Sequence, residues 1–308
     1  MLTKKCGLIL KFLLLPFVIS AQFKTTDFEL TGKVKSVQSV CRPYYNSGKT
    51  AVSGFLGHED YDSVFLSFDK RRNLVLRENY LDYKGKLGIF DRTINQINPS
   101  NLIEKSEITL IQNDEEPRKI AQRKRYYYLK NQLIRMDEFN SGRTSDQNWT
   151  ANSVYKNGVL SEKIYWMDDA VFSTEKFEFD KNYNPVSKKT FSNNGTAGLQ
   201  IDYQNDKSGM PINTISQSTG LKTEEIIDYK GFYPSKITFK NGSEITKTVF
   251  YNPAGRVFEV DRINYQNQNI DIFKFEYEFD SENNWIRCEI SKNGQKAFVI
   301  SRTISYYP

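Results

Sequence analysis

The feature that most restricts the fold is a short string that recurs along the sequence: an aromatic residue, Asp or Asn, a short polar loop and then an apolar pair. Four clear copies lie at 68–75, 179–186, 251–258 and 279–286, and looser copies begin at Tyr128, Tyr155, Tyr203 and Tyr229. From residue 155 onward the aromatic anchors stand 24, 24, 26, 22 and 28 residues apart. A spacing of this kind is typical of repeat architectures.

The chemistry of the string predicts a chain reversal at each copy. Asn252 can cap the turn with its side chain, Pro253 fixes φ at the next position, and Gly255 can adopt a positive φ and close a bulged hairpin. Asp takes the place of Asn252 in the other clear copies, at Asp69, Asp180 and Asp280. Arg72 and Tyr183 stand where Gly255 stands, and a positive φ is unfavourable for both, so we expect those two loops to be wider or differently closed.

The segments between the loops alternate as antiparallel strands do. Apolar residues occupy every second position in 175–179, 236–239 and 274–279, and no long stretch after Gln22 has the 3.6-residue period of a helix. The pattern predicts an all-β fold with little helix apart from a signal peptide. We expect an antiparallel meander of repeated β-hairpins, of about 14 to 18 strands, that forms an extended curved sheet, an open shell or a solenoid.

The N-terminus has the pattern of an export signal. Lys4 and Lys5 precede an apolar run at 12–19, and Ile19-Ser20-Ala21 before Gln22 is a small-residue cleavage site. We therefore expect residues 1–21 to be removed and the mature protein to be secreted, to the periplasm, the outer-membrane surface or the outside of the cell. The run is too short to span a bilayer and no Cys directly follows it, so we expect no transmembrane or lipid anchor after its removal.

Charge and cysteine usage bear on the partners. The chain has 43 Lys and Arg against 37 Asp and Glu, a net charge of +6, which falls to +3 when the three lysines of the signal are removed. A nucleic-acid partner is therefore not expected. The mature chain keeps Cys41 and Cys288, which either pair in a disulfide or lie separately as buried thiols.

We divide the mature chain into two segments. The first is an N-terminal β segment at 22–140, with a long loop at 46–60, and the second consists of degenerate hairpin repeats at 141–308 that continue the first.

The repeats resemble a known family. The segment 251–257, YNPAGRV, looks like the tyrosine-aspartate (YD) repeat of bacterial RHS-type proteins, as does 277–287. The segments 30–37 and 302–307 resemble the opening and close of small secreted YD-repeat proteins of uncharacterised function. Large RHS proteins form a β shell around a toxin; this chain ends with the repeats, so the resemblance implies no toxin cargo. The segment 155–160, YKNGVL, is also similar to the MORN-variant repeat, which is likewise an array of β-hairpins.

One basic and aromatic stretch is a candidate binding strip. If 123–128 is a strand, alternation places Arg123, Arg125 and Tyr127 on one face and Lys124, Tyr126 and Tyr128 on the other. Tyrosine rings can stack on sugars and arginines can bind phosphate in a fork, so the strip suits an anionic glycan. The alternative is a solvated strand face with core tyrosines behind it.

Catalytic groups are scarce. The single histidine, His58, excludes a multi-histidine zinc site, and although it lies beside Glu59 and Asp60, we interpret that cluster as an acidic turn rather than a metal site. We expect no cofactor and favour a non-enzymatic binding or scaffold protein of the cell envelope, with an anionic glycan or another envelope protein as partner. One alternative is an envelope glycan hydrolase or lyase with two Asp or Glu carboxylates. The other is an accessory partner of a secreted toxin that binds through a sheet edge.

Overall fold

The protein is an antiparallel meander of β-strands. The computed structural model describes residues 28–43, 61–83, 86–111, 119–141, 146–265 and 267–308, and these residues contain no α-helix. The strands are β1 (Val34–Pro43), β2 (Ser63–Phe68), β3 (Leu74–Tyr83), β4 (Lys86–Ile97), β5 (Ile103–Leu110), β6 (Lys119–Leu129), β7 (Gln132–Ser141), β8 (Asp146–Lys156), β9 (Val159–Met167), β10 (Ala170–Phe179), β11 (Pro185–Ser192), β12 (Ala197–Asn205), β13 (Pro211–Ser218), β14 (Leu221–Lys230), β15 (Tyr233–Asn241), β16 (Glu244–Tyr251), β17 (Val257–Ile263), β18 (Ile270–Phe279), β19 (Trp285–Lys292) and β20 (Gln295–Tyr306).

This arrangement confirms the prediction of an all-β antiparallel meander. The described residues form twenty strands rather than 14 to 18, because strands also form where the repeat string is hard to recognise, as in β4 to β9. Within the described ranges, no helix is long and apolar enough to cross a membrane. The predicted signal peptide at 1–21 and the whole predicted loop at 46–60, with His58 and its acidic neighbours, lie outside the described residues.

The strands divide between two compact units. The terminal unit comprises the described residues of Ser20–Thr150, Glu276–Ser291 and Gln295–Pro308. The central unit comprises Ala151–Phe275 and Lys292–Gly294. The terminal unit contains the first and the last strands of the meander, and the central unit contains the complete strands β9 to β17.

The pairing of the terminal strands corrects one sequence prediction. In an open sheet, shell or solenoid, β1 and β20 would be free edges. Instead β1 pairs antiparallel with both β2 and β20, from Val34 opposite Tyr306 to Pro43 opposite Phe298. The prediction of an open arrangement is therefore wrong. The pairing removes two rows of unsatisfied backbone groups that an open sheet would expose at its ends.

The core of the terminal unit lies beneath these paired strands. Its buried apolar side chains come from the segment before β1 and from the first three strands: Leu30, Val34, Val37, Val64, Leu66, Phe68 and Leu74. Trp285 on β19 is fully buried, and the guanidinium of Arg302 lies over its ring at 3.3 Å from the ring centroid. Glu29 accepts a hydrogen bond from the Trp285 indole N–H at 3.2 Å. The residues before β1 are thus attached to the last hairpin of the chain.

Five connections share one loop structure, which we call the braced loop: 69–73, 180–184, 206–210, 252–256 and 280–284. The first residue donates its N–H to the carbonyl of the fifth at 2.8–2.9 Å, and the fourth donates to the carbonyl of the first at 2.9–3.1 Å. A side-chain oxygen of the first residue, Asp or Asn, accepts the N–H groups of the third and fifth residues at 2.8–3.0 Å. The side chain therefore replaces a turn's missing backbone partners.

The fourth residue of every braced loop has a positive φ, whatever its identity. Gly255 has φ 79°, Arg72 has φ 69° and Tyr183 has φ 61°. The prediction that the Arg72 and Tyr183 loops are wider or differently closed is therefore wrong. The left-handed conformation costs about 1–2 kcal/mol in a residue with a Cβ. Each hydrogen bond to the charged carboxylate contributes about 1.5–3 kcal/mol, so the brace outweighs that cost.

Candidate functional site

The predicted basic strip lies on β6, between β5 and β7. Glu107 on β5 stands opposite Arg123, and its carboxylate lies 2.6 Å from the Arg123 Nε. Burial alone would raise the pKa of the Glu107 carboxyl, but hydrogen bonds from Lys105 and Arg123 hold it below its ordinary value. Arg125 is exposed and stands between Lys105 on β5 and Asp137 on β7. Arg123 is therefore paired with a carboxylate, whereas Arg125 stays exposed.

The three tyrosines of the strip differ in role. Tyr127 is exposed, and the Arg135 guanidinium lies over its ring at 5.6 Å. Tyr128 donates its hydroxyl to the Ile103 carbonyl at 2.8 Å, at the start of β5. Burial, with the nearby Glu138, raises the pKa of Tyr126 to about 12. The structure thus leaves Arg125 and Tyr127 as the exposed side chains on one face, while Tyr126 and Tyr128 are half-buried on the other.

Cys41 and Cys288 are free thiols. Cys41 lies on β1 and Cys288 on β19, and both strands pair with β20, which lies between them. Strands one apart are about 4.8 Å from each other, so two such steps exceed the separation of about 7 Å that a disulfide tolerates between Cα atoms. Burial raises the pKa of Cys41 to about 11 and that of Cys288 to about 12.

In the central unit, a row of residues, all of them polar except Phe239, crosses seven strands. Each residue of the row stands directly opposite the next: Tyr203, Thr214, Glu225, Phe239, Lys247, Arg262 and Asp271. Directly opposed residues lie on one face of an antiparallel sheet, as do residues two apart on a strand. The same face carries the buried Ile201, Ile227, Ile237, Val249 and Val260. We call it the buried face.

A cavity of about 390 Å³ opens at the middle of this row. Its lining includes hydroxyl and amide groups and two aromatic rings: Thr214, Ser216, Thr223, Asn241, Phe239 and Tyr265. Tyr265, in the connection between β17 and β18, is exposed at the rim. The volume lies within the usual range of about 300–1,000 Å³ for small-molecule sites. Hydroxyl and amide groups both donate and accept hydrogen bonds, and rings offer flat apolar surfaces.

The charged groups of the cavity are held in different ways. Glu224 is fixed by Asn213, which donates to it at 2.8 Å, and by Lys240 at 3.4 Å. Glu225 is half-buried, and burial raises the pKa of its carboxyl although Lys247 opposes the shift. The Lys247 ammonium lies over the Phe239 ring at 4.0 Å from its centroid. Glu225 therefore contributes the carboxylate that faces the cavity without a close ion pair.

The two carboxylates that line the cavity belong to neighbouring residues, Glu224 and Glu225. Glu224 and Glu225 are neighbours on β14, so their side chains point to opposite faces of the sheet. A glycosidase needs two carboxylates about 5 to 10 Å apart across one substrate. Within the described ranges, no group of three or more His, Cys, Asp and Glu side chains is placed to share a metal ion. The cavity thus offers hydroxyl, amide and aromatic groups together with two carboxylates.

No protein-family model matches the chain, and no curated protein matches it either. The two predicted repeat resemblances, YD and MORN-variant, thus have no matching family model. Solved structures with some similarity include a porin-like protein from Bacteroides uniformis, at 11% identity and a TM-score of 0.37, over 90% of this chain and 99% of that one. They also include TcdB2-TccC3, at 10% identity and a TM-score of 0.36, over 77% of this chain but only 16% of that one. The Photorhabdus luminescens Tc holotoxin pore follows at 8% identity and a TM-score of 0.28, over 79% of this chain and 19% of that one. Scores this low leave the function of this chain to be argued from its own residues.

The sequence reasoning missed the polar groups of the buried face. Lys163, Glu175 and Lys188 are all buried on it. One signal was present: Glu175 is in phase with Phe177 and Phe179, the alternating aromatic residues of β10. A charged residue at the aromatic position of a strand indicates a polar group on the apolar face. The cavity itself had no local signal, since four strands and a loop contribute to it.

Proposed function

We propose that the protein is an exported, non-enzymatic binding protein of the cell envelope, and that its ligand is a glycan bound in the cavity of the central unit. The observation that carries this proposal is the lining of the cavity. It combines hydroxyl and amide groups with the Phe239 and Tyr265 rings, at a volume suited to one or two sugar rings. Export is supported by the signal pattern at 1–21.

The charge of the cavity favours a glycan without acidic groups. The Glu224 carboxylate is compensated by Lys240, whereas that of Glu225 is not closely paired. A bound acidic sugar would place a second negative charge beside Glu225, and like charges in a partly buried site repel. The anionic glycan predicted for the β6 strip stays a separate prediction.

The test is a glycan array with the mature chain, residues 22–308, followed by calorimetry on the best ligand. Tyr265→Ala removes a rim ring without disturbing a buried contact, and we expect it to weaken binding about tenfold, equivalent to about 1.4 kcal/mol. Tyr127→Ala, an exposed tyrosine on β6, is the matched control and should change affinity less than about twofold.

Two results would contradict the proposal. One is an array without any saturable glycan binding. The other is a loss of binding in Tyr127→Ala but not in Tyr265→Ala, which would place the site on the β6 strip. Turnover of the bound glycan, abolished by Glu225→Gln, would instead favour the hydrolase alternative.

A further inference from the structure

A second polar cluster lies on the buried face, away from the cavity, on β9, β10 and β11. Lys163 stands directly opposite Glu175. Lys188 contacts the same carboxylate, with its Nζ 2.7 Å from Oε1, and Tyr165 donates its hydroxyl to Oε2 at 3.0 Å. Both oxygens of Glu175 are therefore engaged by partners other than Lys163.

Lys163 is the unusual member of the cluster. The residue is only 2% exposed, yet its Nζ makes no hydrogen bond to any described protein atom. The nearest ring, that of Phe177, has its centroid 6.0 Å away, which is the outer limit of a cation–π contact. The ammonium is thus buried without a partner that compensates it.

The charges of the cluster do not balance. Two ammonium groups and one carboxylate leave one net positive charge in a buried environment. Burial, together with the neighbouring Lys188 and against the attraction of Glu175, lowers the pKa of Lys163 to about 8, so the ammonium form still predominates at pH 7. A buried charge is costly unless it is paired and hydrogen-bonded, and an ammonium has three N–H groups to satisfy.

We propose that Lys163 anchors a site for a singly charged oxyanion, either a carboxylate group or a dihydrogen phosphate group. One such anion neutralises the cluster, and its oxygens accept the N–H groups that no protein atom accepts. Lys188 adds a second positive charge beside it, while its own hydrogen bond to Glu175 fixes its position. This site is independent of the proposed glycan cavity, and either can fail without the other.

The experiment follows the thermal stability of the mature chain. Acetate and inorganic phosphate are titrated in parallel with sodium chloride at equal ionic strength. We expect a saturable rise in Tm with acetate or phosphate that exceeds the rise with chloride, and a bound stoichiometry of one per chain for that anion in equilibrium dialysis.

Three variants make the test specific. Lys163→Met should abolish the specific rise while the protein stays folded, because it removes an uncompensated buried charge. Lys163→Arg keeps the cation and should retain the response. Lys189→Met, next to Lys188 but with an exposed side chain, should behave as the parent protein. The proposal is overturned if neither anion exceeds chloride, or if Lys163→Met responds as strongly as the parent.

Discussion

The braced loops allow a sharp comparison between two glycines. Gly209 is the fourth residue of loop 206–210 at φ 80°, and Gly195 holds the equivalent place in loop 192–196 at φ 81°. A Cβ added at Gly195 meets nothing within 4 Å, whereas one at Gly209 would lie 2.2 Å from the Asn184 Oδ1. Asn184 is buried and donates to the Asp180 carboxylate at 2.9 Å. The two substitutions to Ala therefore share the backbone cost but not the collision.

The magnitudes follow from these contacts. Alanine at a positive φ costs about 1–2 kcal/mol, and the reduced entropy of the unfolded chain returns about 0.4–1 kcal/mol, so Gly195→Ala should destabilise the protein by about 1 kcal/mol. Gly209→Ala also displaces Asn184, and the loss of its buried hydrogen bond adds about 1–3 kcal/mol. We expect a total of about 2–4 kcal/mol for Gly209→Ala.

Urea unfolding followed by tyrosine and tryptophan fluorescence measures both values. In an Asn184→Ala background the collision partner is absent, so the additional cost of Gly209→Ala should fall to about 1 kcal/mol, as in Gly195→Ala. Equal costs for the two glycine substitutions in the parent protein would refute the reasoning, since only the contact with Asn184 distinguishes them.

Two further predictions concern buried titratable groups. Glu175→Gln leaves two buried ammonium groups without their carboxylate and should lower the free energy of unfolding in urea by about 3–5 kcal/mol. The control Glu178→Gln, at an exposed position, should lower it by less than about 1 kcal/mol. Similar losses for the two variants would contradict the burial of the cluster. Cys41 and Cys288 should react with Ellman's reagent at pH 8 at least about 100-fold more slowly in the native than in the urea-unfolded protein, because a thiol pKa raised by two units lowers the thiolate fraction about 100-fold. The thiols lose their protons at lower pH in the unfolded than in the native state, so the free energy of unfolding should decline as the pH rises from about 9 to 11. Rapid labelling of the native protein at pH 8 would contradict both the slow reaction and this pH dependence.

The loops show how far a local signal reaches. Asp or Asn at the first position was visible in the sequence, since these side chains accept hydrogen bonds from nearby backbone N–H groups. The positive φ of Arg72 and Tyr183 could not be predicted from the sequence. A rule based on the intrinsic conformational cost of a positive φ ignores the hydrogen bonds that compensate this cost. Those bonds involve the fifth residue, Asn73 or Asn184, whose amide donates to the loop carboxylate at 2.9 Å in both cases.

Side-chain contacts between residues of different strands were harder to predict from the sequence than the loops. The alternation in β6 correctly separated Arg125 and Tyr127 from Tyr126, but nothing within the strand indicated that Glu107 neutralises Arg123. That partner belongs to another strand, and its register depends on the loop between them. The same limit applies to the polar groups of the buried face, which meet only once several strands have paired.

The pairing of β1 with β20 also has a consequence for biosynthesis. Val34 can reach its partner Tyr306 only after the more than 270 residues between them have left the ribosome. Until then the backbone groups on one side of β1 have no partner, and a nascent chain with such an edge is prone to associate with other chains. The entropic cost of bringing the two strands together rises only slowly with the length of chain between them. The late pairing of β1 with β20 is therefore a kinetic rather than a thermodynamic problem. A factor that shields β1 during translation would therefore increase the yield of native protein more than it would change its final stability.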